Sequence, residues 1–384
     1  MRKRVFRVLF ISIFAAMLGL GIVAPLMPIY AKSMGANGIW LGIIFSGYSV
    51  SRVLFMPIVG RVSDKTGRKI FIASGLLLYS LISLLYPLAG NVYTLTTIRF
   101  VHGLASAMVI PIAMAYIGET SKAGKEGTSM GTFNIALFLG MGAGPFLGGL
   151  LNDSYGIKSV FYAMSCLTAI AFFITLFFLP AIQPHRKARE KTRPLFHVII
   201  RNKLVRGLLL FRIVNAMGRG GIMAFLPIFA SSIHITSSQI GTLISVNLFL
   251  TALLQPPCGM LADRCNRPYL VIAGSMVGVI ALFLVSLTHT FGELLFVNSL
   301  MGVGGAIALP SASALTVDVG HTVGMGVSMG MFSMAMSIGM ITSPLILGVV
   351  LDAFGLKAIF YAAAAISFIG TFAVLQLLRK VPCP

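Results

Sequence analysis

The amino-acid sequence predicts an all-α membrane protein of twelve transmembrane helices, arranged as two six-helix bundles related by a pseudo-twofold axis. Three observations predict it. The 384 residues are 57% hydrophobic and only 10% charged, with a mean hydropathy of +0.96, far more apolar than a chain that folds in water. Apolar runs long enough to cross a hydrocarbon core as helices lie at 6–31, 38–60, 70–90, 93–117, 127–152 and 157–180, then at 207–230, 238–261, 269–289, 292–317, 325–350 and 356–378. The second six repeat the first 199 positions on: Gly60, Asp64 and Arg68 of a charged turn between two spans return as Gly259, Asp263 and Arg267.

Taken in order, the first span opens with Met1-Arg2-Lys3-Arg4 and a long apolar run, the make-up of a secretory signal peptide. The repeat argues for a retained helix instead, because Gly19, Pro28, Ile29 and Ala31 recur in mid-chain as Gly218, Pro227, Ile228 and Ala230. Between the second and third spans, Gly60 suits a close helix end and Gly67 permits the backbone reversal, while Asp64 accepts hydrogen bonds and Arg68 donates a planar fork. The register holds through Pro111 and Pro310, Glu119 and Asp318, and Pro145 and Pro344. Asp153, Gly156 and Lys158 likewise match Asp352, Gly355 and Lys357. The expected domains are therefore 1–180, an N-terminal six-helix bundle; 181–206, a basic cytoplasmic linker; and 207–384, a C-terminal six-helix bundle. Within the linker, Leu195 to Ile200 is apolar enough to lie along the inner headgroups.

Twenty-nine Lys and Arg against nine acids give a net charge of +20. On a soluble protein that balance suggests nucleic acid. Here the basic residues sit in short loops between apolar runs, where they report topology, and no nucleic-acid partner is expected. Lys32, Lys158 and Lys357 fall on one side, and the remaining basic loops, including the linker, on the other. That asymmetry places both termini in the cytoplasm, with the chain multi-pass in the cell's inner (plasma) membrane and the lipid bilayer as its surroundings. Cys166, Cys258, Cys265 and Cys383 show no ligand spacing, so no metal or disulfide framework is expected. No phosphate-binding loop and no nucleophilic constellation is present, and neither an enzyme activity nor a cofactor is expected.

Two further stretches carry chemistry. In the fourth span, Arg99 to Ala107 puts a guanidinium inside the bilayer beside Gly103, Ala105 and Ala107, which allow close helix contact. A charge there costs roughly 2.5 to 3.5 kcal/mol on insertion scales, so Arg99 should face a cavity or clamp onto backbone carbonyls. In the fifth span, Gly140, Gly144, Pro145, Gly148 and Gly149 would make a poor helix in water but let a neighbouring backbone approach. The second copy of that stretch is degraded to Ser343-Pro344-Leu345-Ile346-Leu347-Gly348.

Together the doubled turn, the fourth-span pattern and the fifth-span glycines resemble the major facilitator superfamily, the last of them its drug:proton antiporter branch. The resemblance covers essentially the whole chain. It implies a secondary transporter working by alternating access, and it implies a conformational lock in which Asp64 caps a helix of the opposite half while Arg68 pairs with Glu119. Asp263, Arg267 and Asp318 are the corresponding trio, with Asn266 where Gly is expected.

Cargo chemistry should lie where the copies differ. The seventh span carries Arg212, Asn215 and Arg219 on one helical face, against Ile13, Ala16 and Leu20 in the first. Asn247, Thr251 and Gln255 in the eighth face Tyr48, Arg52 and Met56 across the repeat, and Asn298 stands where the first copy has Arg99. With His102 and Asn134 these residues are either a polar cavity or interhelical glue. Methionines of the eleventh span, among them Met331, Met336 and Met340, supply a soft wall or simple packing. The nine acids all fall at span edges or in loops, and the first span has none. The leading expectation is proton-coupled efflux of small hydrophobic or drug-like compounds, with protons as coupling ion and His102 as one possible carrier. The alternative is uptake or exchange of an organic anion. The expected partners are a small-molecule substrate, protons and lipid, with the protein a monomer.

Overall fold

The computed structural model describes residues 2–120, 126–181, 202–323 and 325–378. The linker residues 182–201 lie outside it, and with them the expected headgroup helix. The described chain forms thirteen α-helices. They are α1 (Arg2–Val23), α2 (Met27–Ser33), α3 (Gly38–Thr66), α4 (Arg68–Leu85), α5 (Val92–Thr120), α6 (Glu126–Tyr155), α7 (Ile157–Phe178), α8 (Lys203–Ser232), α9 (Ser237–Arg264), α10 (Arg267–Val285), α11 (Phe291–Val323), α12 (Met325–Phe354) and α13 (Leu356–Leu378). All but α2 are long and apolar enough to cross a membrane, which gives the twelve expected spans. Helices satisfy their own backbone polar groups, the requirement hydrocarbon imposes.

One span departs from expectation. The first apolar run breaks after Val23 and resumes as α2, whereas α8 runs unbroken from Lys203 to Ser232. Pro25 and Pro28 both lack an N–H at the break, while the second copy keeps only Pro227 and has Ala224 at the other position.

The chain gathers into two units. Unit 1 comprises Met1–Ala36, Ile43–Lys187 and Ala230–Ser245, and unit 2 comprises Asn37–Gly42, Ala188–Phe229 and Val246–Pro384. Helices α3 and α9 therefore each start in one unit and continue in the other. In unit 1, α1 packs on α5, α6 and α7, and its Leu9, Ile13, Ala16 and Met17 join Leu76, Ile112 and Phe133 in the core. In unit 2, Phe211 of α8 joins Val271, Ala312, Phe332 and Val374. Of the twelve spans, α8 has the most enclosed apolar stretch, 72% buried.

Close approach of backbones explains the fifth-span glycines. A Cβ at Gly140 would fall 2.8 Å from Phe14 O, and one at Gly144 would fall 2.5 Å from Gly21 Cα. A Cβ at Gly148 would collide with Ile22 O. In the second copy only the first of these contacts keeps its form, a Cβ at Gly339 colliding with Ile213 O. Ser343 stands in place of Gly144 and donates its Oγ hydrogen to Met217 O at 2.6 Å. Leu347 replaces Gly148, and its Cδ1 would lie 2.5 Å from a Cβ at Gly221.

This packing predicts opposite signs for two identical exchanges. Gly144→Ala forces α6 away from α1 and should destabilise by about 1–3 kcal/mol. Gly305→Ala, at a helical position with open space around it, should stabilise by about 0.5–1 kcal/mol. Thermal melting of the purified protein in detergent measures both.

Candidate functional site

The two charged turns begin their following helices differently. Gly67 has φ 105°, a conformation side chains resist, and α4 starts directly after it. Asn266, its counterpart, has φ −61°, and its side chain accepts from Tyr269 N at 3.3 Å with Pro268 in the first turn. A side-chain cap with proline thus replaces the glycine reversal. Arg267 is held in spite of the change: its NH1 meets Asp318 Oδ2 at 2.6 Å and its Nε donates to Ala262 O at 3.3 Å. The side chains of Asp64, Glu119 and Asp263 lie outside the described residues. Among the described residues Gly60 and Gly259 have open surroundings, the nearest atom to a Cβ at Gly259 being Pro310 Cβ at 4.0 Å, so neither makes the expected close helix contact there.

At the opposite ends of the same helices stands a pair of carboxylates not expected to belong to a site. Within unit 2, Asp352 at the end of α12 accepts from the first two N–H groups of α3, Gly38 N at 2.6 Å and Ile39 N at 2.9 Å. Within unit 1, Asp153 near the end of α6 accepts from Ser238 N of α9 at 2.8 Å, and Asn152 Nδ2 donates to Ser237 Oγ at 2.8 Å. The two arrangements are related by the 199-residue repeat. Each carboxylate satisfies otherwise orphaned donors at a helix start, where negative charge is also favoured by the helix dipole. Backbones close in alongside: a Cβ at Gly38 would collide with Gly348 O, and one at Gly241 with Pro145 O. The signal in the sequence was the recurrence of Asp153 as Asp352 at the same offset.

In the interior of unit 1, Arg99, Tyr48, Tyr79, Tyr86 and His102 form a buried cluster. Gly103 lets α5 close on α3, since a Cβ there would collide with Tyr48 O. The Arg99 guanidinium then lies 4.7 Å from the centre of the Tyr48 ring and 5.4 Å from that of Phe45, a favourable arrangement for a desolvated cation. His102 is fully buried, with Nδ1 at 2.7 Å from the Tyr86 hydroxyl and the Tyr79 ring edge-on at 4.0 Å. Among the described residues its Nε2 has no hydrogen-bond partner, nor do Tyr79 OH, Ser51 Oγ and Arg99 Nε. Arg52 is half-buried on α3.

In unit 2 the expected polar residues separate into two kinds. Asn247 and Thr251 tie α9 to α11, Asn247 Nδ2 donating to Asn298 O at 2.6 Å and Thr251 Oγ1 to Gly302 O at 3.2 Å. The amide donor of Asn247 and the hydroxyl of Thr251 are thus used on backbone carbonyls. Arg212 and Asn215 on α8 are different: Arg212 Nε and Asn215 Oδ1 are buried without partners among the described residues. The Arg212 guanidinium lies 4.8 Å from the centre of the Phe332 ring, and its NH2 is 2.8 Å from Met336 Sδ. Arg219 lies two turns further along the same face, Gln255 is half-buried on α9, and the Asn134 side chain is outside the described residues. Among the described residues no group of His, Cys, Asp and Glu is placed to hold a metal.

Removal of a carboxylate cap gives a direct check on its worth. Asp352→Ala leaves two N–H groups of α3 unbonded and should cost about 0.5–2 kcal/mol, read as a lower melting temperature in detergent, with Asp352→Asn losing less.

The Major Facilitator Superfamily model matches the chain in two stretches, residues 9–215 and 208–383. An MFS-type transporter of Methanocaldococcus jannaschii is 32% identical over 385 aligned residues, covering 99% of each chain. The multidrug resistance protein MdtG of Citrobacter koseri is 27% identical, covering 95% of this chain and 92% of its own. Among solved structures, a bacterial homologue of the human lysosomal transporter Spinster, inward-facing and unoccupied, superposes with a TM-score of 0.84 at 14% identity, covering 100% of this chain and 99% of that one. Twelve spans, a repeat that runs through both halves and a family model that matches both agree: the chain belongs to the major facilitator superfamily and is a multi-pass membrane transporter.

Proposed function

We propose that this transporter exports small hydrophobic, drug-like compounds across the inner membrane by alternating access, driven by protons moving inward, and that it works as a monomer with both termini in the cytoplasm. The observation that carries the reading is the similarity to a multidrug resistance protein along 95% of the chain. Proton coupling is supported by the fifth-span glycines, which resemble the drug:proton antiporter branch. The Arg267–Asp318 pair at one end of the helices and the Asp153 and Asp352 caps at the other are contacts able to break and re-form as access alternates. Both are partly exposed, so each costs little to open.

Transport of a lipophilic fluorescent dye into inside-out vesicles tests the reading. An imposed proton gradient should drive accumulation, and a protonophore should abolish it. Accumulation that ignores the gradient, or runs against the expected direction, overturns it. Arg267→Asp should lower the rate by about tenfold or more, and Asp318→Arg in the same chain should restore a substantial part of it. A double variant as slow as the single one would show that the pair is not part of the working cycle.

A further inference from the structure

We propose that the α8 face formed by Arg212, Asn215 and Arg219, backed by Phe332 and Met336 of α12, receives an anionic group of the cargo, so that the preferred compounds are amphipathic organic anions. This deepens the transport reading and rests on it.

The argument starts from charge. Helix α8 is about 43 Å long at 1.5 Å per residue, and Arg212 and Arg219 stand roughly 13 and 24 Å from its start, well inside the apolar stretch. Among the described residues no carboxylate pairs with either one: the described acids Asp153, Glu293, Asp318 and Asp352 all stand at helix ends. Two interior guanidiniums without a counter-charge are costly.

A structural duty would account for that cost if the donors were used within the protein, as Arg267 uses its own on a carboxylate and a carbonyl. Arg212 does not. Its Nε is buried and unbonded, and the polar contact of its NH2 is with a thioether, a weak acceptor. The fold does not require the charges either, because the matching α1 residues are apolar: Ile13 is fully buried in the unit 1 core and Leu20 is packed, half-buried, against it.

What remains points to a ligand. The Arg212 guanidinium, 4.8 Å from the centre of the Phe332 ring, is the group that grips a carboxylate, sulfonate or phosphate with two parallel hydrogen bonds. Asn215 sits between the two arginines on the same face and adds a polar group to orient the anion. Met336, half-buried beside Arg212, gives the apolar part of the compound a deformable wall.

The test uses one fluorophore carrying opposite charges, dansylglycine and dansylcadaverine, bound to the full-length protein in detergent and read by fluorescence polarisation. Dansylglycine should bind at least tenfold more tightly than dansylcadaverine. Arg212→Gln and Arg219→Gln should each weaken dansylglycine about tenfold or more and leave dansylcadaverine unchanged, while Arg212→Lys should retain part of the affinity. Melting temperature confirms that each variant is folded, and a variant that does not fold is replaced by its Lys counterpart combined with salt titration of binding. Tighter binding of dansylcadaverine, binding of neither compound, or anion binding indifferent to both arginines overturns the proposal. Because binding is measured without a gradient, these outcomes are separate from the vesicle result: gradient-driven export of a cationic dye together with indifferent arginines leaves the transporter an exporter and removes the anion site.

Discussion

Hydrocarbon gives helices no reason to associate through exclusion of water, because lipid tails are as apolar as the side chains. In unit 1 the close approach of backbones between α1 and α6 takes that role, at positions where a Cβ would meet main-chain atoms: Gly21, Gly140, Gly144 and Gly148. This contact fixes α1 at the centre of the unit, enclosed by α5, α6 and α7. The closing of α5 on α3 through Gly103 uses the same device, and it is what brings Arg99 against the Tyr48 ring and seals His102 among tyrosines.

The second copy relaxes the constraint. Only Gly339 keeps the backbone contact, while Ser343 and Leu347 hold α12 to α8 through side chains. Beside the retained contact between Ile213 and Gly339, Arg212 of α8 reaches Phe332 and Met336 of α12. The same repeat has thus produced a tight seam in one half and a polar face in the other.

Much of this was legible in the sequence because hydropathy and repetition depend on neither distance nor partner. The twelve expected spans are all present, and Arg267 and Asp318 meet as an ion pair. Asn247 and Thr251 were ambiguous, since a polar stripe looks the same whether it lines a cavity or bonds a neighbouring backbone. Only the approach of α11 decides between them. That Asp153 and Asp352 are caps is not written in the sequence, because a cap is defined by which helix start lies opposite it, information held in tertiary structure. The break in the first span was written in Pro25 and Pro28, but the apolar run that continues across them hid it.

One neighbour of the Asp352 cap gives it an optical consequence. The chain has a single tryptophan, Trp40, one residue beyond Ile39 in the first turn of α3, its backbone N held by Asn37 Oδ1 at 2.9 Å. Detachment of the carboxylate frees the turn that carries the only indole in the protein. Its intrinsic emission therefore serves as a label-free gauge of whether this end of the helix is engaged or released.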